Sequence, residues 1–318
     1  LYRGTRQQLS VLGGRMLAEL KAKIDAKEAQ VAVIGLGYVG LPVACMFAEA
    51  GFQTIGVDLD AKRVATINAG ENPIEGEEPG IAELIAEVTA GGRLQCTTEY
   101  DDLRDADAVI ISVQTPIEAH DHLPRYAHLT KALEALGAVL KQGALVVIES
   151  TLAPGTMHNI AIPALEEATG GKVGERFYIG HCPERVTPGR LLLNLRTMNR
   201  AVGGYSAQVS EVMVALYEHI VEGDLDVADV LTAEIVKTAE NAYRDVQIAF
   251  ANEVARVCEA LGGDVWAVRE LVNKSPGRNM LLPGAGVGGH CIPKDPWLLI
   301  ANVRDQVQPQ VIRSEEHT

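Results

Sequence analysis

Lys237, Asn241 and Arg244 sit at i, i+4 and i+7 on a long stretch with no Gly or Pro. On a helix that spacing places a lysine, an amide and an arginine on one face. Such a row of donors suits a developing oxyanion or an anionic substrate, and it equally suits a solvated stripe. Downstream, "PGAGVGGHCIPKDPW" (283–297) leads through four glycines and His290 to a lone cysteine, Cys291. A single cysteine can pack as a small apolar side chain, but a flexible run of backbone N–H groups before it suits an anion, and Lys294 and Asp295 just after it are costly to bury without a purpose. His290–Cys291 and His181–Cys182 raise the question of a metal. Neither pair has zinc spacing and no further ligands stand nearby in sequence, so no metal is expected. His120 and His122 lie in a polar loop and read as solvated.

A second constellation lies near the start. "VAVIGLGYVGLP" carries Gly35-x-Gly37-x-x-Gly40, with Tyr38 and Val39 inside it. The motif follows an apolar run, opens a helical pattern, and is followed by Asp58 at the end of the next apolar run. That context is the dinucleotide fingerprint. Gly35 permits a tight turn, Gly37 lets a pyrophosphate approach the backbone, and Gly40 permits close helix–strand packing. Asp58 suits the ribose hydroxyls and repels a 2′-phosphate, which favours NAD over NADP. Arg63 could touch the adenosine end or be a solvated helix arginine. Thr115 follows another apolar run and is a candidate for cofactor contact. Ser150–Thr151 ("ESTLAPGT") and Glu184–Arg185 ("HCPERVTPG") also follow apolar runs, and strand ends are where a doubly wound sheet builds its site.

The elements that must position these groups follow from periodicity. Residues 16–29 read as an amphipathic helix, with residues 1–15 less organised and Met16 a plausible start. Apolar runs at 31–34, "QTIGVD" ending at Asp58, 107–113, 144–150 and 176–181 read as buried parallel strands. Helical patterns lie between them, which implies right-handed crossovers and an α/β, Rossmann-type doubly wound parallel sheet. After about residue 205 the pattern turns helical. The dominant helix runs from about Thr232 to Leu261, with Val236, Ala239, Tyr243, Val246, Phe250, Val254 and Val257 as one apolar stripe and Ile235, Ala242, Ala249 and Ala251 on other sides. It reads as widely buried, across a subunit interface. The expected organisation is a helical extension (1–30), a NAD-binding domain (31–207), a helical central and dimerisation domain with the cysteine loop (208–303), and a tail (304–318).

The 28 basic and 42 acidic side chains give a net charge of −14, which argues against a nucleic-acid binder. Five scattered cysteines with no CxxC pair favour free thiols in a reducing compartment. No signal peptide and no apolar run of about 18 residues is seen, so a cytoplasmic protein is expected.

Taken together, "VAVIGLGYVGLP", "ESTLAPGT", "HCPERVTPG", "AEIVKTAENAYRDVQIAFANE" and "PGAGVGGHCIPKDPW" resemble the UDP-sugar 6-dehydrogenases of the UDP-glucose/GDP-mannose dehydrogenase superfamily, in unbroken order over residues 16–303. The motifs look most like the UDP-N-acetyl-D-mannosamine dehydrogenases, with the UDP-N-acetylglucosamine and UDP-glucose 6-dehydrogenases next. The resemblance implies oxidation of a sugar C6 alcohol to a carboxylate with two NAD+, through a thiohemiacetal and a thioester. It implies Cys291 as nucleophile, Lys237 and Asn241 as the oxyanion-stabilising pair, Asp295 in proton transfer with Lys237 and a water, Glu184 as general base and Thr151 near the reacting water. Lys294 is placed on the cofactor side, where Lys237 or Lys294 would favour the thiolate. Arg185, Arg244, Gly284 and Gly289 are candidates for substrate contact, and a homodimer through the 232–261 helix is expected.

Two departures stand out. Relatives read "HPRVN" where this chain reads "SPGRN" (275–279), which leaves the role of Arg278 open. Relatives also continue into a second α/β domain that binds the UDP end, whereas the resemblance here stops near Val303 and "RSEEHT" resembles translated sequencing adapter. The tail is therefore expected to be truncated or non-native, with the UDP-binding domain missing. Two other readings stay open: a two-electron β-hydroxyacid-type dehydrogenase, which has no use for Cys291, and a non-enzymatic NAD-binding or dimerising module.

Overall fold

The computed structural model describes residues 2–289, 291–307 and 309–312, with side chains from Gly14 on. His290 and the "RSEEHT" residues 313–318 lie outside the described residues. The chain divides into two compact units. The first comprises Leu1–Thr115, Tyr126–Thr151 and Gly155–Glu234; the second comprises Pro116–Arg125, Leu152–Pro154 and Ile235–Thr318.

In the first unit the order is α1 (Tyr2–Asp25), β1 (Gln30–Ile34), α2 (Gly40–Ala50), β2 (Gln53–Val57), α3 (Ala61–Asn68), α4 (Ile81–Ala90), β3 (Leu94–Thr97), β4 (Ala108–Ile111), α5 (Ala127–Val139), β5 (Leu145–Ile148), α6 (Ile162–Thr169), β6 (Tyr178–His181), α7 (Leu191–Thr197), β7 (Arg200–Gly204), α8 (Ala207–Tyr217) and β8 (Leu225–Asp229). The eight strands form one sheet in the order β3-β2-β1-β4-β5-β6-β7-β8. Neighbours from β3 to β6 pair in parallel, β6 pairs antiparallel with β7, and β7 pairs in parallel with β8. Chain order reverses between β1 and β4, where a doubly wound sheet opens its ligand crevice. Strands β1, β4, β5 and β6 are buried almost throughout, as their continuous apolar runs require.

Three expectations are corrected. The N-terminal helix starts at Tyr2 and ends at Asp25. It stops where Lys27 takes a left-handed φ of 58° and the chain turns into β1. The sheet is not wholly parallel, because β7 and β8 run against the rest. It also continues past residue 207: β8 is an edge strand with mostly exposed residues, so it lacks the apolar run that marks a central strand.

The apolar core of this unit lies about β1 and α2, with Phe47, Phe52 and Tyr217 among its largest side chains. The α1 helix is fastened to it by burial of Leu17, Leu20 and Ile24 and by Lys23, whose Nζ reaches Asp107 Oδ1 at 3.0 Å. Asp107 also accepts from Lys141 Nζ (2.6 Å) and the Gln30 N–H (3.0 Å).

The second unit holds most of α9 (Val230–Leu261), then α10 (Val265–Asn273) and α11 (Asp295–Ile300). Ala242, Ala249, Ala251 and Cys258 of α9 are buried, whereas Tyr243, Phe250 and Val257 are 65%, 56% and 57% exposed. Within this chain three of the seven stripe residues are therefore exposed, Val236, Ala239, Val246 and Val254 are half-buried, and the small residues Ala242, Ala249 and Ala251 pack inward. Trp297 of α11 lies between His122, stacked at 4.0 Å, and the Arg304 guanidinium, 5.2 Å from the ring centre. Arg304 also donates to the carbonyls of Asp121 and His122. His122 is thus a packing partner, not the solvated histidine expected. Among the described residues, no helix is long and apolar enough to cross a membrane.

Burial raises the Asp107 carboxyl, but Lys141, the Gln30 N–H and Lys23 together pull it below its ordinary 3.8. Its stabilising contribution is therefore complete above pH 3.8 and is lost as pH falls through the lower folded value. Asp107→Asn is expected to cost about 1 kcal/mol at pH 7, since both lysines are partly exposed, and progressively less below pH 3.8. Urea unfolding of both proteins at several pH values measures this.

Candidate active site

In the first unit the fingerprint forms the turn from β1 to α2. Gly35 has φ 91°, a conformation that favours glycine. A Cβ on Gly40 would lie 1.9 Å from the Gly35 carbonyl oxygen, so α2 starts where only glycine fits. A Cβ on Gly37 would meet nothing within 4 Å; its Cα faces open space. The Asp58 carboxylate bridges two backbone donors, taking the Leu36 N–H on Oδ2 (2.8 Å) and the Asp60 N–H on Oδ1 (2.9 Å). Arg63 donates to the Leu36 carbonyl (3.1 Å). Beside these groups lies a cleft of about 490 Å³ whose walls include Gly35, Gly37, Asp58, Arg63, Val113 and Lys131.

This arrangement fits a dinucleotide. The bare Gly37 backbone opens onto the cleft, the start of α2 offers N–H donors for a pyrophosphate, and Asp58 keeps acceptor capacity for ribose hydroxyls. Tyr38, Val39 and Thr115 do not line the cleft. Tyr38 instead donates to Glu78 Oε1, and Thr115 is buried and donates to the Thr151 carbonyl (2.7 Å). Lys131, and His128 one turn before it, reach the cleft from α5 and were missed from sequence. Their position on the helix after the crossover strand β4 was the available signal.

The strand ends behave as a braced set. Ser150 Oγ donates to the Val113 carbonyl (2.7 Å) and accepts the Val113 N–H (2.9 Å), tying the ends of β5 and β4 together. Glu234, fully buried, accepts the N–H groups of Gly155 (2.7 Å) and Met157 (2.8 Å) at the end of the Thr151 loop. Burial pushes its carboxyl up to about 7 against those donors. Just before Ser150, Glu149 pairs with Arg200 (2.7 Å) and accepts from Tyr217 (2.8 Å), all fully buried. Glu184 is buried beyond the end of β6. Burial first, then the Glu78 hydrogen bond and charge, then the Glu184 charge, raise the Tyr38 phenol. Arg185 donates to the Asn199 carbonyl.

In the second unit, Asn241 Nδ2 donates to Asp295 Oδ2 (2.6 Å), and Lys294 Nζ lies 3.5 Å from Asp295 Oδ1. Asp295 is wholly buried and Lys237 nearly so. Burial raises the Asp295 carboxyl, and the charge of Lys294, the Asn241 hydrogen bond and the charge of Lys237 pull it back only in part, leaving it above its ordinary 3.8. A buried acid whose carboxyl is raised, beside two ammonium groups and an amide, is equipped to move a proton and to stabilise an oxyanion. The predicted Lys237–Asn241 pair and Asp295 are thus brought together. Lys294 belongs to this cluster too. The Cys291 carbonyl accepts the N–H groups of Lys294 (3.0 Å) and Asp295 (2.9 Å), which sets the cysteine one turn ahead of them.

Cys291 is exposed, and the other four cysteines are buried. Burial pushes the Cys45 thiol well up, and those of Cys96 and Cys182 to about 12. Arg244 is exposed at the end of the polar row. The Gly284 N–H donates to Asn252 Oδ1 (2.8 Å), and Gly289 adopts φ 80°. Arg278 is exposed and donates to the Pro276 carbonyl (3.1 Å).

Comparison with known proteins finds a family for both parts of the chain. Residues 29–221 match the NAD binding domain of the UDP-glucose/GDP-mannose dehydrogenase family, and residues 231–318 match its central domain. A UDP-N-acetyl-D-mannosamine dehydrogenase of Pyrococcus horikoshii is 41% identical over 276 residues, covering 87% of this chain and 65% of that protein. One of Methanococcus maripaludis is 40% identical over 274 residues, covering 85% and 61%. A solved structure of a UDP-D-ManNAc dehydrogenase from Pyrococcus horikoshii aligns with a TM-score of 0.85 at 39% identity, covering 90% of this chain and 67% of that one. The chain spans just under two thirds of the length of the two curated relatives.

Two measurements test the site. Asp58→Asn is expected to weaken NAD+ binding about tenfold, or ~1.4 kcal/mol, and to narrow the preference for NAD+ over NADP+; calorimetric titration of both cofactors reads this. Thiol titration of the folded chain is expected to show one fast-reacting group, absent in Cys291→Ala, with the remaining thiols appearing only on denaturation.

Proposed function

The chain belongs to the UDP-glucose/GDP-mannose dehydrogenase family, and on that footing we propose that it acts as an NAD-dependent UDP-sugar 6-dehydrogenase. The proposed reaction takes UDP-N-acetyl-D-mannosamine to UDP-N-acetyl-D-mannosaminuronate, for polysaccharide synthesis in the cytoplasm. The observation that carries this reading is the pairing of one exposed cysteine with the Lys237–Asn241–Asp295–Lys294 cluster on the same unit, in which Lys237 and Asp295 are buried.

Two NAD+ molecules, bound in turn, would each accept one of the two hydrides that leave the sugar C6. Gly35, Gly37 and Gly40 shape the turn that receives each, and Asp58 and Arg63 hold its adenosine end. Lys237 and Asn241 stabilise the oxyanion that develops on the C6 oxygen, and Asp295 takes part in moving its proton. Cys291 adds as thiolate to the resulting aldehyde. The thiohemiacetal carbon keeps one transferable hydrogen, and its loss as hydride leaves a thioester on Cys291. Glu184 acts as general base on the water that cleaves the thioester, with Thr151 beside that water. Cleavage releases the acid and regenerates the thiol. Arg185, Arg244, Gly284 and Gly289 are assigned to the substrate, and Lys294 to the cofactor side and to the thiolate. The exposed Tyr243, Phe250 and Val257 of α9 form an apolar face whose natural cover is a second copy of the chain.

Assays with NAD+ and UDP-N-acetylmannosamine, UDP-N-acetylglucosamine or UDP-glucose in parallel test the proposal. Two NADH per acid are expected, with the mannosamine sugar preferred, and Cys291→Ala is expected to form no acid. One NADH per substrate, or substantial acid from that variant, would sink the thiol mechanism. NAD+ binding without turnover of any of the three sugars would sink the substrate assignment.

A further inference from the structure

Glu78 lies in the acidic stretch "IEGEEPG" between α3 and α4, outside every motif read for chemistry. Its two carboxylate oxygens join three separate segments of the first unit. Oε1 accepts the Tyr38 phenol, which stands inside the fingerprint between Gly37 and Gly40. The same oxygen accepts the Gly189 N–H at 2.7 Å, and Oε2 accepts the Leu191 N–H at 3.0 Å. Gly189 and Leu191 end the loop from β6 to α7, the loop that carries Glu184 and Arg185. Glu184 is in turn close enough to Tyr38 for its charge to act on the phenol.

The bonds are of the strong kind. Burial raises the Glu78 carboxyl, yet the Tyr38 hydroxyl and the two N–H groups outweigh it and hold the group below its ordinary 4.5, so Glu78 is a charge-assisted acceptor at neutral pH. The Tyr38 hydroxyl is the link in this set that belongs to the cofactor turn. Anything that fixes the backbone on either side of Tyr38 fixes its hydroxyl, and through Glu78 the amides of Gly189 and Leu191. Two sites that bias one shared element are coupled, and the coupling is reciprocal.

We propose that Glu78 is a positioning residue that couples the two sites, so that filling the dinucleotide cleft secures the loop carrying Glu184 through Tyr38. This rests on the NAD-dependent reading above and adds an order to it: the cofactor turn settles the Glu184 loop before that carboxylate is used.

Amide hydrogen exchange of this chain, with and without saturating NAD+, tests the coupling without any turnover. In the wild type NAD+ is expected to slow exchange at Gly189 and Leu191 by about fivefold, the low end of common coupling strengths. Tyr38→Phe removes only the hydroxyl and leaves both Glu78–backbone bonds in place. It is expected to abolish the NAD+ effect at these amides and, by reciprocity, to weaken NAD+ binding by the same factor. Glu78→Gln is expected to speed exchange at both amides in the absence of cofactor and to lose the NAD+ effect. A purely structural Glu78 predicts that Tyr38→Phe responds to NAD+ as the wild type does, and that result would overturn the proposal. Unchanged exchange at Gly189 and Leu191 in a wild type that binds NAD+ would overturn it alone. Failure of the wild type to bind NAD+ would overturn the cofactor reading and this inference together.

Discussion

Between Gly40 and the Gly35 carbonyl there is no room for a methyl group. The 1.9 Å that a Cβ would be left is far inside any allowed contact, so the start of α2 stands against β1 at the closest approach a backbone permits. The consequences run outward from that contact. The first N–H groups of α2 are brought to the crevice where strand order reverses, and a pyrophosphate can sit there without a side chain in its way. Asp58, at the end of β2, locks the turn by taking the Leu36 N–H. It thereby presents its charge where ribose hydroxyls belong.

The second unit is organised around a different constraint. A wholly buried carboxyl must find partners or stay protonated. Asp295 finds an amide on α9 and a lysine on its own turn. These bonds tether the cysteine-bearing segment to the long helix, which is why a residue four positions after Cys291 fixes the local setting of the thiol. The raised carboxyl is the residual cost of burial, and it is the property a proton carrier needs.

Where a residue's role depends on local backbone, the sequence displayed it. Gly35 falls where φ demands glycine and Gly40 where steric clearance does, and the continuous apolar runs at 31–34, 107–113 and 144–150 became the buried central strands. Lys237 and Asn241 share a face because a helix repeats, and Asp295 bonds to Asn241 on that face. What stayed hidden depends on long-range pairing. Glu78 falls in no motif, and its partners lie 40 and 111 positions away. Glu149 and Arg200, 51 positions apart in the chain, meet only once the fold closes them onto each other. The α9 stripe reads as buried across a subunit interface; within this chain Tyr243, Phe250 and Val257 are exposed, and periodicity alone does not say what covers them.

The last strand shows what the sheet must avoid as well as what it builds. β8 lies at one edge of the eight-stranded sheet and, among the described residues, leaves a row of backbone donors and acceptors with no further strand to pair them. Its sequence is Leu-Asp-Val-Ala-Asp, and both aspartates and the valine are exposed. A second sheet approaching that edge would bring its own like charges opposite these, at a cost that grows with every strand added. In a protein already at −14, the weak, polar β8 works as a terminator, keeping an otherwise extensible sheet from growing into a fibre.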